Sequence, residues 1–445
     1  MCTLYANLPE RRPRHFTFAA FGTRGDIFPM LAVADALSQR GHRVTFAAPE
    51  RFRTLIESRC LSYTNIRPDA DLSPENPLAS GVREDKLNSE FALRRLIFPF
   101  VEHTYRDLLE AGTGADMLVF PMYVFPGEMA AERLGIPYTV VHFAPASINS
   151  AFDPPYLPQL PWLYPLQRRW PMLSRLLRLT VGPAIRRWSA PMRALREREG
   201  FAEDNRDLIF NALRSPWLNL ALFSPCIGGM KPDWPKPTVL TGFPFLGELP
   251  GREHEALELF LNDGAAPVIA TLGSVSGESS RAFFIAIVEA TKRLGKRLIL
   301  IAGAETEVLR REVGSASVFV VDYVPYSLLF HRACALIISG SVGPLSHALQ
   351  AGRPILAIAV PKGIDQFDNA LRAVRLGVAR WRVLGRCSVE EVTSDLHALL
   401  SDPSYAENAV RWAAIVRAEN GVVNACEALE SVLYATSELE PSHVD

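Results

Sequence analysis

The chain has 445 residues, 48% of them apolar, with 47 basic side chains against 48 acidic ones. That length exceeds one ordinary hydrophobic core, so two domains are expected, and the near-cancelled charge leaves no global field to attract nucleic acid. The six cysteines are scattered without a C-x-x-C pair, which argues against a zinc site or disulfide framework and fits reduced thiols.

Residues 1–15 carry Glu10, Arg11, Arg12 and Arg14 and lack the apolar stretch of a signal peptide. No run of about eighteen apolar residues occurs, so no spanning helix is expected; the expectation is a soluble cytoplasmic enzyme. From residue 15 onward, short apolar runs alternate with amphipathic stretches, the pattern of parallel strands joined by helices. Residues 15–21 read as a buried strand, 30–40 as a helix, 43–48 as the next strand, 89–111 as a long helix, 116–120 as a strand, 127–134 as a helix and 138–142 as a strand. Residues 149–216 are rich in Pro and Trp and fit no βαβ unit, and an insertion of that size normally carries function. Alternation resumes at 218–223. The Pro- and Gly-rich stretch 231–251 reads as an interdomain linker. A second series follows, with strands at 268–272, 297–301, 318–321, 335–338 and 355–360 and helices at 279–294, 345–351 and 366–376.

Three loops carry the chemistry. Gly22-Thr23-Arg24-Gly25-Asp26-Ile27-Phe28-Pro29 follows the first strand, and in open parallel sheets ligands sit at the carboxyl ends of strands. Asp26 there is either an N-terminal capping residue or a cleft carboxylate. The G-x-G-x-x-G spacing of a dinucleotide site is missing, which disfavours an oxidoreductase. Thr271-Leu272-Gly273-Ser274-Val275-Ser276-Gly277 is a Gly/Ser loop feeding a helix, a weak phosphate signal on its own. Ser339-Gly340-Ser341-Val342-Gly343-Pro344 repeats that signal. Beyond it, Asp365-Gln366-Phe367-Asp368-Asn369-Ala370 presents a carboxylate and an amide suited to gripping sugar hydroxyls. The Asp69-Ala70-Asp71 triplet reads as solvated surface rather than a metal motif. His331 and His347 read as a helix-end partner and a packed helix residue.

Taken in order, the loop 21–29 with Gly41-His42-Arg43-Val44, Tyr323-Val324-Pro325 with Leu328-Leu329, the Gly-Ser-x-Gly turn, and Gly352-Arg353-Pro354 leading to Asp365-Gln366 resemble the inverting, nucleotide-sugar-dependent glycosyltransferases of the GT-B fold. Leu134-Gly135-Ile136-Pro137-Tyr138, Trp234-Pro235-Lys236-Pro237 and Thr241-Gly242-Phe243-Pro244 are similar to its branch of rhamnosyltransferase B subunits. The resemblance implies an α/β architecture of two Rossmann-like doubly wound domains facing a cleft. Residues 1–242 would bind the acceptor, with the insertion at about 149–216, and 243–420 the nucleotide sugar, while 421–445 form a helix and tail packing back on the first domain. It implies Asp26 as base; Gly25, Ser274, Ser339, Gly340, Ser341 and Gly343 around the diphosphate; and Tyr323 and Val324 at the nucleobase. Asp365 and Gln366 would hold the donor sugar, and His142 and Phe143 would line the acceptor pocket. One or two histidines usually precede the Gly-Ser-x-Gly turn in the family. Here Ile338 and Ser339 stand there, so leaving-group stabilisation falls to backbone donors and hydroxyls such as Ser339, Ser341 or Ser346.

The implied reaction is a single displacement of a nucleotide diphosphate by an acceptor hydroxyl, with no metal and no cofactor beyond the donor sugar. The donor would be a UDP- or dTDP-sugar, rhamnose favoured, and the acceptor lipophilic or hydroxyacyl. A catalytically silent relative that assists a partner is the alternative, because of the missing histidine. Between residues 161 and 198 lie Trp162, Trp170, Trp188 and nine arginines against Glu197. That composition reads either as an ordinary solvated helix face or as a surface for a membrane interface, placing the enzyme peripherally at the inner leaflet.

Overall fold

The computed structural model describes residues 12–69, 89–202, 213–247, 255–273, 278–360 and 364–437. Ser274, part of the expected donor site, lies outside these, as do residues 361–363, Ala70 and Asp71.

Two sheets, parallel throughout, organise the chain. The first runs β3(Ser62–Asn65)-β2(Arg43–Ala48)-β1(His15–Ala19)-β4(Met117–Pro121)-β5(Tyr138–His142)-β6(Leu218–Ala221)-β7(Thr238–Leu240). The second runs β10(Val318–Val321)-β9(Leu298–Ile301)-β8(Val268–Thr271)-β11(Ala335–Ser339)-β12(Ile355–Ala359)-β13(Ala379–Val383). The central strands are apolar on both faces because helices cover both. β1, β4 and β5 are buried at every position, as are β8, β9, β11 and β12. In each sheet the strand order reverses once, between β1 and β4 and between β8 and β11. A crevice opens at such a reversal, outside the carboxyl ends of the two strands.

Several elements differ from the reading of the sequence. The first helix spans Arg24–Gln39 and begins six residues earlier than its apolar periodicity suggests, because Thr23 and Asp26 close a capping box around its first turn. Pro29 therefore lies inside the helix, where it cannot supply the N–H that the Gly25 carbonyl would otherwise accept. The stretch 89–111 is helical but broken into a π turn at Ala92–Ile97, a 3₁₀ turn at Phe98–Phe100 and the helix Val101–Ala111. The stretch read as a linker contains β7, which pairs with β6 as the edge of the first sheet. The insertion is helical, with Leu163–Arg169, Pro171–Arg186 and Ala190–Arg198.

The chain ends by crossing back. Helix Pro403–Ala418 packs on helix Val342–Ala351 of the second half. Helix Gly421–Ser437 then lies on the Arg24–Gln39 helix, its Ala425, Cys426, Leu429 and Leu433 sharing a core with Met30, Val33 and Leu37. Buried Glu430 fixes that return, accepting from Arg40 and sharing a hydrogen bond with His42, each at 3.0 Å. A second tie joins the halves nearer the cleft. Buried Arg372 donates to Asp368 at 2.6 Å in its own helix, and to Asp153 and the Ile227 carbonyl of the first half at 2.7 Å each.

Candidate active site

The two crevices face one another. A Cβ on Gly343 would sit 4.0 Å from the Gly25 Cα, so the loop after β1 and the turn after β11 approach to backbone contact. Across the same gap, the Arg24 guanidinium carbon lies 4.6 Å from the centroid of the Tyr323 ring, a cation–π contact between the halves.

On the first half, Asp26 closes the capping box of the Arg24–Gln39 helix, on the loop that approaches the turn after β11. Its Oδ2 accepts from the Thr23 amide at 2.7 Å and the Thr23 hydroxyl at 3.0 Å. Its Oδ1 accepts from the Tyr123 hydroxyl at 2.8 Å. A carboxylate oxygen has two lone pairs, so Oδ1 can hold Tyr123 and still take a proton from a substrate hydroxyl. Gly22 makes room for this arrangement: its φ of +112° is open to glycine, and a Cβ there would meet Asp26 Oδ2 at 2.6 Å. Burial, and then the charge of Asp26, push the Tyr123 phenol well above its ordinary range, so it stays a protonated donor.

On the second half, Asp365 opens the helix Ile364–Arg375. Its pKa is pushed up to about 6, first by burial and then by the charge of Asp26. The charge of a carboxylate on one domain is thus felt by a carboxyl on the other. Gln366 uses its side-chain carbonyl to accept from the Val360 amide at 3.0 Å, clamping the end of β12. Gly340 packs directly on this helix; a Cβ there would come within 2.3 Å of the Gln366 carbonyl oxygen. Asn369, fully buried, donates to the Gly340 carbonyl at 3.1 Å and holds the same turn.

The turn itself leads into helix Val342–Ala351, whose first amides and positive dipole end point into the cleft. Ser341 is its N-cap residue with no side-chain capping bond. The Ser339 hydroxyl is buried, lacks a hydrogen-bond partner among the described residues, and lies 3.6 Å from where a Gly273 Cβ would sit. The Ser346 hydroxyl donates to the Gly343 carbonyl at 2.7 Å and is spent inside the helix. Tyr323 keeps 39% of its surface exposed, while Val324 beside it is buried.

His142 ends β5 but is 1% exposed, hydrogen-bonds Ser147 at 3.3 Å, and has its pKa lowered to about 4, first by burial and then by the nearby Arg214 charge. Burial thus keeps it neutral, and Phe143 is half-buried against the first core. His331 shares a hydrogen bond with the Ser327 carbonyl one turn back. His347 packs against Phe245 and Tyr326, with its pKa lowered to about 4 by burial. Among the described residues, no group of three or more His, Cys, Asp or Glu side chains could hold a metal ion.

Sequence reasoning missed Tyr123, Thr23 as a partner of Asp26, Arg24 as a partner of Tyr323, and Asn369. Tyr123 had a usable signal: it stands two residues beyond β4, on the far side of the strand reversal from Asp26. The cross-domain pair had none, since it joins loops some three hundred residues apart.

Comparison with known proteins agrees with this fold. Residues 16–152 match the glycosyltransferase family 28 N-terminal domain. The chain is 29% identical over 435 residues to the O-mycaminosyltylonolide 6-deoxyallosyltransferase of Streptomyces fradiae, covering 92% of this chain and 95% of that one. The chain has the two-domain GT-B fold, and its N-terminal part matches a glycosyltransferase domain. The chain is also 24% identical over 445 residues to a sterol 3-beta-glucosyltransferase of Debaryomyces hansenii, covering 93% of this chain but 26% of that longer protein. Its fold superposes on the spinosyn rhamnosyltransferase SpnG complexed with thymidine diphosphate at a TM-score of 0.64, with 15% identity and 94% and 100% of the two chains covered. No described helix is long and apolar enough to cross a membrane.

Proposed function

We propose that this glycosyltransferase transfers a 6-deoxyhexose, rhamnose foremost, from a dTDP- or UDP-sugar to a hydroxyl of a lipophilic acceptor, with inversion. The observation that carries the proposal is the approach of the loop bearing Asp26 to the turn after β11, close enough that the charge of Asp26 is felt at Asp365. The acceptor oxygen attacks the anomeric carbon, its proton passes to Asp26 Oδ1, and the bond from that carbon to the diphosphate oxygen breaks with its electron pair leaving on the nucleotide. Tyr123 and Thr23 fix the carboxylate in place, so its orientation costs nothing during reaction. The Gly340–Gly343 turn, with the helix behind it and the Ser341 hydroxyl, receives the diphosphate charge; Asp365 accepts hydrogen bonds from the sugar, and Tyr323 stacks on the base. The deoxyhexose is favoured by the 6-deoxyallosyl and rhamnosyl relatives, the thymidine nucleotide by the SpnG complex, and a lipophilic acceptor by the sterol glucosyltransferase.

The test is Asp26→Asn. Asparagine can still accept from the Thr23 amide, so the cap survives, and the loss of the charged acceptor of Tyr123 should cost about 1.5–3 kcal/mol of stability. Transfer, read as nucleotide release from dTDP- or UDP-sugars, is expected to vanish while calorimetric dTDP or UDP binding stays within a few-fold. Unchanged turnover would remove Asp26 from the reaction.

A further inference from the structure

The insertion exposes large apolar side chains on its outer face, unlike a helix pair bathed in water. In the helices Leu163–Arg169 and Pro171–Arg186, inward positions include Gln167 and Ser174, both buried. Outward positions include large apolar side chains: Trp162 is 64% exposed, Trp170 55%, Met172 69%, Leu176 56% and Leu179 74%. Met172, Leu176 and Leu179 follow the i, i+4, i+7 spacing that lines up one side of a helix. Scattered apolar residues on a surface are ordinary, but a contiguous stripe of this kind marks a contact.

Charge selects the occupant. Residues 154–196 contain eight arginines and no acidic residue. Arg168, Arg169 and Arg175, exposed beside the stripe, surround it with positive charge that no neighbouring carboxylate in the segment offsets. Apolar side chains ringed by arginines, with tryptophans at the boundary, match the interface of a bilayer with anionic headgroups. A water-facing protein partner would need acids to match the arginines and a large apolar area of its own, whereas an anionic leaflet supplies both.

The segment is also rigidly joined to the cleft. Tyr156 packs on Tyr164 at 5.3 Å between ring centroids and on Phe367 and Trp381 at 6.3 Å. Phe367 lies two residues from Asp365 on the same helix. We infer that helices Leu163–Arg169 and Pro171–Arg186 form a docking face for an anionic phospholipid surface, which holds the cleft mouth against the bilayer. The inference stands apart from the identity of the transferred sugar and of the acceptor.

Vesicle sedimentation of the full chain tests it. Vesicles of phosphatidylcholine with phosphatidylglycerol are expected to carry the protein down at low salt, and pure phosphatidylcholine vesicles much less. Each arginine near an anionic leaflet contributes about fivefold, so Arg168→Gln/Arg169→Gln/Arg175→Gln should weaken partitioning about a hundredfold. Leu176→Ser/Leu179→Ser should weaken it on both kinds of vesicle. All five side chains are exposed, so circular dichroism should be unchanged. No sedimentation with anionic vesicles at low salt overturns the inference, as does equal, salt-insensitive binding to both compositions. A dimer in sedimentation velocity without lipid, lost in Leu176→Ser/Leu179→Ser, would assign the face to a second copy and overturn it likewise.

Discussion

Asp365→Asn should make the ligand-free enzyme more stable and the working enzyme useless. In the folded chain Asp365 has its pKa raised from 3.8 to about 6, because burial penalises its charged form and Asp26 adds repulsion. A raised carboxyl pKa means the folded state holds the proton more tightly than the unfolded chain does. Stability therefore falls as pH rises between those two values, and the full cost of ionisation is present above about 6. A little over two units corresponds to an upper bound of about 3 kcal/mol at neutral pH. Asparagine keeps the shape and polarity without the charge. Urea unfolding at about pH 7 should show a gain approaching that bound, and at about pH 4 the gain should nearly disappear. Nucleotide-sugar protection against thermal unfolding should be lost in the same variant, since the sugar hydroxyls lose their charged acceptor. Asp26→Asn, by removing the second cause of the shift, should move the acid limb of donor binding to lower pH. A variant less stable at neutral pH, or a difference that ignores pH, would refute the claim that this carboxylate is held at a cost.

Other perturbations probe the surrounding supports. Tyr123→Phe removes a hydrogen bond to a charged group, worth about 1.5–3 kcal/mol, so kcat should fall about ten- to a hundredfold with the donor KM unchanged; an unchanged kcat would reduce Tyr123 to packing. Gly340→Ala drives a methyl to 2.3 Å from the Gln366 carbonyl oxygen, which should cost about 1–3 kcal/mol and weaken donor binding in calorimetry. Glu430→Ala strips His42 and Arg40 of their shared buried carboxylate and should lower the urea midpoint by the equivalent of about 3 kcal/mol. A shift below about 1 kcal/mol would show that the apolar contacts of the last helix suffice alone.

The stretches from which the sheets are built were legible because strand and helix periods are local properties. Fully apolar runs such as Ala335–Ser339 can be covered on both faces only in a parallel sheet with helices above and below. Loops at strand ends were legible for the same reason: their glycines, prolines and hydroxyls mark the turn in place. The sequence could not show where the first helix starts, because the capping box of Thr23 and Asp26 outranks the apolar spacing that begins near Met30. Nor could it reveal β7, three residues between prolines and glycines that become a strand only because β6 offers its edge. The partners of Asp26 from beyond its own loop, and the raised pKa of Asp365, come from different strands and different domains. Proximity across more than three hundred residues is set by the closing of two sheets on one cleft, and no local pattern encodes it. The chain by itself determined which residues could do the chemistry; the packing of one half against the other decided which of them meet.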